Sequence, residues 1–246
     1  MLLHSSIGSF RGDFMGTELR GLQEREPVPS AIEELAAQHD LGRLREVFGP
    51  YQRWVFTRNN TARLYVYEAG LAFTGEHMPV AFAWRSTSVW NYRETINGGL
   101  SADRWILVGP NRRAFSIGRG AHIRTPRLDG QRVTDIRRGA PFVFEGVWGP
   151  VMQEGITRAQ LPDALAALQR GETLDFDKIA ISATELRVDS ASLKWSELNT
   201  VSAAYGMLHF PNTAGKRMPT PTPDRVRNLG LVLTLIEALR KHHQAR

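Results

Sequence analysis

The alternation of apolar and polar residues divides the chain into strand-forming and helix-forming stretches. Between residues 53 and 118, apolar side chains recur at every second position in short segments rich in aromatic and β-branched residues. Turn-forming pairs such as Asn59-Asn60 and Asn97-Gly98 separate the segments. Six strands at hairpin spacing, with no helix between them, predict an antiparallel sheet that curls into a barrel or sandwich. The six segments are RWVFTR, RLYVYEAG, LAFTG, PVAFAWRSTSVWNY, DRWILVG and RRAFSIG.

Helical patterns stand on both sides of this strand region. Ser30, with Glu33 three residues later, predicts a capping box that starts the segment AIEELAAQHDLGRLREVFG. The apolar face of that segment is interrupted at Gly42, which predicts two short helices. Residues 142–170 also have a helical pattern, although Gly149-Pro150 makes their first half ambiguous. Pro162 is expected at the start of a helix that a left-handed Gly171 ends.

Strand-forming segments return after this helix and lead to a final helix. We expect strands in LDFDKIAIS, ELRVDS, SLKWSELNTVSAAYG and MLHFPN, and an amphipathic helix within residues 225–243. Together with the first strand region, this order predicts an α+β, strand-dominated fold. Residues 53–117 and 174–210 are expected to be mainly antiparallel strands, and each region is expected to be followed by a helix.

The two strand regions are similar to each other. YVYEAGLAFTGEHMPVAFAWRSTSVW and IAISATELRVDSASLKWSELNTV both read strand, turn, strand, turn and strand, with Trp84 and Trp195 in corresponding places. Each region continues into a hairpin and ends in a helix, which predicts a duplicated unit. Because an aromatic ring at a repeated strand position is most simply a core residue, we expect both tryptophans to be buried.

Two sets of segments carry a resemblance: RLYVYEAGLAF with FAWRSTSVW, and LPDALAALQRGETLDFDKIAIS with LKWSELNTV and NLGLVLTLIEAL. They resemble the bacterial pleckstrin-homology-like (PH-like) domains. More narrowly, the chain resembles an uncharacterised actinobacterial family that carries two such units in tandem. The second unit departs from the pattern, because Thr184-Glu185 stands where a glycine is expected. The resemblance implies two antiparallel barrels or curled sheets, each closed by a helix, which serve as interaction modules and carry no catalytic residues.

The chain then divides into three parts. Residues 1–29 are expected to be disordered or an extension, and residues 1–14 are either an upstream extension of the natural start or a disordered tail. Residues 30–170 are expected to hold the N-terminal helices and the first PH-like unit, and residues 171–246 a smaller second unit with the C-terminal helix. No cysteine is present, and no apolar run reaches the length of about 20 residues that spans a bilayer. A cytoplasmic protein without a transmembrane segment is the expectation.

The sequence offers little for catalysis or metal binding. The seven histidines are scattered, and none has a carboxylate cluster or a second histidine at a spacing typical of zinc sites. No nucleophile elbow, phosphate loop or dinucleotide fingerprint occurs. We therefore expect no cofactor, no metal and no catalytic residue. The alternative that stays open is an enzyme or small-ligand-binding protein with its site in a barrel mouth. Separately, one of Trp54, Trp90, Trp105 and Trp148 is expected to line a groove.

Positive charge is concentrated in residues 112–138. Eight arginines and two aspartates give this segment +6, which equals the formal net charge of the whole chain. Arginine makes bidentate contacts with phosphate and carboxylate groups. The segment is therefore either a solvated loop paired with acidic residues or a surface for an anionic partner. An unknown protein or an anionic membrane surface is expected, and nucleic acid is disfavoured because Phe115 is the only aromatic interleaved with the arginines. The candidate binding residues are Arg112, Arg113, Arg119, Arg124, Arg127, Arg132, Arg137 and Arg138.

Overall fold

The computed structural model describes residues 27–51, 61–74, 79–120, 133 and 136–245. Over these residues the fold is α+β and rich in strands, as predicted. The α-helices are Ser30–Gln38 (α1), Glu145–Gln169 (α2) and Leu229–Gln244 (α3), and short 3-10 helices span Trp84–Ser86, Trp195–Glu197 and Pro223–Arg225. The strands are Leu44–Phe48 (β1), Leu64–Tyr67 (β2), Gly70–Phe73 (β3), Val80–Ala83 (β4), Ser88–Ile96 (β5), Gly99–Val108 (β6), Ala114–Arg119 (β7), Ile136–Arg138 (β8), Leu174–Asp175 (β9), Ile179–Ile181 (β10), Glu185–Val188 (β11), Ala191–Lys194 (β12), Ser202–Ala204 (β13) and Met207–His209 (β14).

The strands form sheets in the order of the chain. β1 to β4 form one sheet and β5 to β8 a second, which we call the N-terminal sheets. β9 to β12 and the hairpin β13–β14 form the C-terminal sheets. Neighbouring strands are antiparallel, apart from the parallel pair β7–β8. The antiparallel prediction is confirmed, but no sheet closes into a barrel over the described ranges, since each ladder ends at an edge strand on both sides.

The two N-terminal sheets face one hydrophobic core. Phe73 on β3 and Phe115 on β7 meet edge to face across it, with their ring centroids 5.4 Å apart. The first half of α2 covers the core with Trp148, Met152 and Ile156. On the outer face of the first sheet, α1 packs Ile32 and Ala36 against strand residues. Full burial of a side chain such as Ile32 or Met152 stabilises the fold by about 1.5–3 kcal/mol.

The second half of α2 belongs to a different core. Ala164 and Leu168 pack there with the C-terminal sheets and with the apolar face of α3, which contributes Leu231, Leu235 and Ile236. A single 25-residue helix therefore packs on the cores of both halves of the chain. Because its ends are held by separate cores, α2 connects the halves through rigid backbone.

The same order of elements occurs twice. β4 leads into the 3-10 helix that begins at Trp84, and β12 leads into the one that begins at Trp195. Both rings are buried, with exposed fractions of 2% and 0%, so the prediction for the two tryptophans is confirmed. A hairpin follows in each half, and a long helix comes later, after β7 and β8 in the first half and after a 3-10 helix in the second.

The glycine that the second half lacks has a local explanation. Gly70 on β3 pairs with Ala83 on β4, and Glu185 on β11 pairs with Lys194 on β12, so the two residues are equivalent. A Cβ atom at Gly70 would lie 2.4 Å from Leu41 Cδ2, in the segment that follows α1. Glu185 is exposed, and the second half therefore tolerates a side chain where the first half needs a glycine.

The N-terminal helical prediction is wrong in two details. The segment that was expected to form a second helix is the strand β1, which pairs with β2. The chain turns into it through left-handed Asp40 and Gly42, with φ of 52° and 75°. Ser30 is the first helical residue and Pro29 the cap, with no side-chain capping bond. The predicted strand RWVFTR and the segment 1–26 lie outside the described residues.

The α2 prediction also needs correction at its start. The helix begins at Glu145 and runs through Gly149-Pro150, so Pro162 lies inside it and does not start a helix. The packing of α2 on two cores offsets the free-energy cost of the backbone hydrogen bonds that the two prolines cannot make. The predicted end is confirmed, because Gly171 has a φ of 84° just after the helix.

Candidate functional site

Four of the predicted binding arginines lie at one end of the second N-terminal sheet. Arg112 and Arg113 are exposed in the turn before β7, where Arg112 has a left-handed φ of 61°. Arg137 and Arg138 are exposed on β8. Because β8 pairs in parallel with the start of β7, with Phe115 opposite Arg137, both pairs of arginines lie near the same end of the sheet. We call this group of four the arginine edge.

A fifth guanidinium lies buried behind the arginine edge. Arg104 on β6 is only 2% exposed. Its nitrogens donate to the hydroxyl and carbonyl of Ser116, at 2.8 and 2.6 Å, and to the carbonyl of Gly118 at 2.7 Å. Burial, and then the positive charge of Arg138, lowers the pKa of Arg104 to about 10. The group is therefore charged at neutral pH, and its hydrogen-bond partners among the described residues include no carboxylate.

The remaining predicted arginines are not part of this edge. Arg119 lies at the opposite end of β7, half-buried, with its guanidinium carbon 5.9 Å from the centroid of the Tyr51 ring. Its Nε is buried and has no hydrogen-bond partner among the described residues. Arg124, Arg127 and Arg132 lie outside the described residues.

A groove opens between the second N-terminal sheet and the two long helices. It has a volume of about 660 Å³ and lies where β5 and β6 face α2 and the first turns of α3. We call it the inter-helix groove. Its lining includes Asn91, Arg93, Asp103 and Trp105 from the sheet, Glu145, Gln153, Glu154 and Thr157 from α2, and Gly230 and Thr234 from α3.

Polar groups in this groove are buried, and some have no partner. Asp103 is 5% exposed and accepts a 2.6 Å hydrogen bond from Asn91 Nδ2. Trp105 Nε1 and Glu145 Oε1 are buried and have no hydrogen-bond partner among the described residues. An unpaired buried polar group costs about 1–3 kcal/mol. Two residues that line the groove therefore carry a buried donor and a buried acceptor whose hydrogen-bonding capacity is unused within the described part of the chain.

The carboxyl group of Glu145 has a raised pKa. It occupies the first position of α2, with the left-handed Phe144 before it, and is 8% exposed. Burial raises the pKa of its carboxyl group, and the negative charge of Asp103 acts in the same direction. Hydrogen bonds from backbone N–H groups and the charge of Arg119 oppose the rise without cancelling it. Arg119 therefore acts electrostatically on the groove and lies apart from the arginine edge.

A smaller groove on the other side of α2 has a different character. It has a volume of about 280 Å³ and is lined by residues that include Arg45, Glu68 and Trp84. Arg45 Nη2 and Glu68 Oε1 form an ion pair at 2.7 Å across it. The charges of Arg45 and Glu68 thus compensate each other within the protein.

The described part of the chain offers neither a cluster of metal ligands nor a helix suited to a membrane. No group of three or more histidine, aspartate or glutamate side chains in this part of the chain could hold a metal ion. None of the described helices is long and apolar enough to cross a membrane.

Residues 143–245 match the model of a family of unknown function, DUF6585. The matched segment begins just before α2 and contains α2, the C-terminal sheets and α3, and it leaves the N-terminal sheets outside. No curated protein and no solved structure matches the chain. The family model carries no activity, so function has to be inferred from the geometry of the chain itself.

Sequence reasoning missed Asp103, Arg104 and Glu145. A signal for Arg104 was present, because it occupies the same face of β6 as Ile106 and Val108, so a charge interrupts an apolar period-two pattern. Glu145 is likewise the one charged residue in PFVFEGVWGP. Trp105, one of four tryptophans that were expected to include a groove-lining residue, does line the inter-helix groove.

Proposed function

We propose that the chain is a non-catalytic binding or scaffolding protein of the cytoplasm, built from two PH-like units, which engages an anionic partner through the arginine edge. The repeated order of elements supports the tandem arrangement: a four-stranded meander, a tryptophan-containing 3-10 helix, further strands and a long helix. PH-like units serve as interaction modules, so the exposed surface of the chain is where its function is expected.

The observation that carries the proposal is the placement of charge at one end of β7 and β8. Arg112, Arg113, Arg137 and Arg138 are exposed there. The buried charge of Arg104 lies close enough to Arg138 for the two to repel. Clustered guanidinium groups attract anions and bind carboxylate or phosphate oxygens in a bidentate manner.

The chemistry of the edge favours an acidic protein or an anionic membrane surface over nucleic acid. Proteins that bind single-stranded nucleic acid stack bases on aromatic side chains beside their basic residues. Phe115, the aromatic residue next to the edge, is 2% exposed and packs in the core. It therefore offers no surface for stacking.

Co-sedimentation with vesicles tests the proposal. Wild type should bind vesicles of mixed phosphatidylserine and phosphatidylcholine, or an acidic polyglutamate peptide, at low salt. Binding should weaken as ionic strength rises, because screening reduces the attraction of charges beyond about 10 Å at 0.1 M. Replacing Arg112, Arg113, Arg137 and Arg138 with glutamine should abolish binding.

The matched control removes the same charge from elsewhere. Arg85, Arg187, Lys194 and Arg217 are exposed residues away from the edge, and their replacement with glutamine should leave most of the binding intact. Equal losses in the two quadruple variants would mean that net charge, and not the arginine edge, governs binding. Failure of wild type to bind either probe at low salt would refute the proposal.

A further inference from the structure

We propose that the inter-helix groove is a binding site for a small amine that also carries hydroxyl or carbonyl oxygens, such as an amino alcohol or an amino sugar. This site is separate from the arginine edge and does not depend on the function proposed for that edge. The inference rests on the position of the groove, its charge, and two buried polar atoms that have no partner in the described part of the chain.

The position and size of the groove suit a small molecule. Ligand sites lie preferentially in clefts between structural units and have volumes of about 300–1,000 Å³. The groove, at about 660 Å³, lies between the second N-terminal sheet, α2 and α3. α2 packs on both cores of the chain, which makes its side of the groove a rigid wall.

The charged residues of the groove determine which sign of charge a ligand should carry. Its lining carries the carboxylates Asp103, Glu145 and Glu154 and the cation Arg93, and Arg119 acts on Glu145 from outside the lining. The chain as a whole has a formal net charge of +6, so an acidic groove is opposite in sign to the molecule that contains it. These carboxylates, of which Asp103 and Glu145 are buried, would repel an anion and attract an ammonium group.

The unpartnered atoms define what the ligand must present. Glu145 Oε1 is an acceptor and Trp105 Nε1 a donor, and their residues are 8% and 5% exposed. A ligand that donates N–H to the carboxylate and offers an oxygen to the indole N–H would satisfy both. Charge-assisted hydrogen bonds of this kind are roughly twice as strong as neutral ones. A primary amine with a nearby oxygen has this combination.

The test uses matched pairs of probes in which an ammonium group replaces a hydroxyl. Ethanolamine is compared with ethylene glycol, and glucosamine with glucose, by titration of isotope-labelled protein in NMR. At least one amine should bind with a Kd of about 1 mM or lower, shift the indole N–H resonance of Trp105, and bind more tightly than its neutral counterpart. The resonance is assigned by its loss in Trp105→Phe.

Two kinds of variant locate the site. Glu145→Gln removes the carboxylate and should weaken amine binding by about tenfold or more. Thr234→Trp places a large side chain over the groove from the exposed surface of α3 and should block binding. Leu233→Trp is its matched control, since Leu233 is exposed on the same helix and does not line the groove.

Several outcomes would overturn the inference. The first is no binding of either amine at about 20 mM, well above the expected Kd of about 1 mM. The others are equal binding of each amine and its neutral counterpart, and unchanged affinity in Thr234→Trp. An equal loss of binding in Leu233→Trp would also overturn the inference, because Leu233 does not line the groove. The arginine-edge variant should keep its amine binding, which separates this result from the vesicle experiment.

Discussion

Asn228 and Val89, which are 139 positions apart in the chain, exchange two hydrogen bonds. The Val89 amide donates to Asn228 Oδ1 at 2.7 Å, and the Asn228 amide donates to the Val89 carbonyl at 2.9 Å. Asn228 Nδ2 also donates to Gln160 Oε1 at 2.9 Å, and Gln160 Nε2 donates to the Trp84 carbonyl at 2.7 Å. Asn228 precedes α3, Gln160 lies on α2 and Val89 on β5. This buried network therefore fixes both long helices against the second N-terminal sheet.

Asn228→Ala should destabilise the protein through this network. It leaves the Val89 amide and Gln160 Oε1 without their partners, and an unpaired buried group costs about 1–3 kcal/mol. The substitution also places alanine at a left-handed φ of 49°. Asn97→Ala is the matched control for that backbone cost, because Asn97 is exposed and has a φ of 50°.

Urea unfolding followed by circular dichroism measures the difference between these two variants. Asn228→Ala should lose about 1–3 kcal/mol more than Asn97→Ala. If the two variants unfold at the same urea concentration, the cost is that of the left-handed backbone alone, and the network contributes nothing to stability.

Gly155 lets α2 lie directly on Trp84. A Cβ atom at this position would be 2.5 Å from Trp84 Nε1, which is closer than any van der Waals contact permits. Gly155→Ala should therefore destabilise the protein by about 1–3 kcal/mol, as overpacking does in a tight core. Gly146, on the same helix, has open space around its Cβ position. Gly146→Ala should stabilise the protein by up to about 1 kcal/mol, because alanine is the better helix former.

Thermal melts of these two glycine variants should move in opposite directions. A Gly155→Ala variant that is as stable as Gly146→Ala would show that the Trp84 ring moves aside at little cost. The close contact would then not explain why a glycine stands in the middle of a long helix.

Local patterns in the sequence were sufficient to predict most of the fold. Period-two alternation predicts most of the described strands, and the burial of Trp84 and Trp195 and the helix end at Gly171 are predicted as well. The errors occurred where long-range packing overrides local preference. Leu44–Phe48 pairs with β2, although its sequence also fits a helix. α2 continues through Pro150 and Pro162 because its two halves are held by different cores.

The candidate sites were less predictable, for a physical reason. The charge of residues 112–138 is a property of sequence, but the grouping of Arg112 with Arg137 results from a parallel pairing of β7 and β8 that no local pattern encodes. The inter-helix groove combines Asp103, Glu145 and Thr234 from three distant segments. Only the folded chain brings these residues together.

The pH dependence of stability should report on Glu145. Burial raises the pKa of this carboxyl above its ordinary value, with Asp103 adding to the effect and Arg119 and backbone N–H groups opposing it. An acid whose pKa is raised by folding stabilises the fold only while it is protonated. Its contribution is complete below the ordinary carboxyl pKa of about 4.3 and is lost as the pH rises through the folded-state pKa.

Glu145→Gln removes this titration, because the amide is neutral at every pH. The variant should therefore be more stable than wild type at pH 7, and the difference should shrink as the pH falls toward 4, as measured by urea unfolding at a series of pH values. Glu154→Gln, an exposed residue of the same helix, should follow wild type throughout. If Glu145→Gln and wild type keep a constant difference over this range, Glu145 does not titrate differently in the folded state. A stable Glu145→Gln that no longer binds amines would show that this buried carboxylate is kept for binding at a cost in stability.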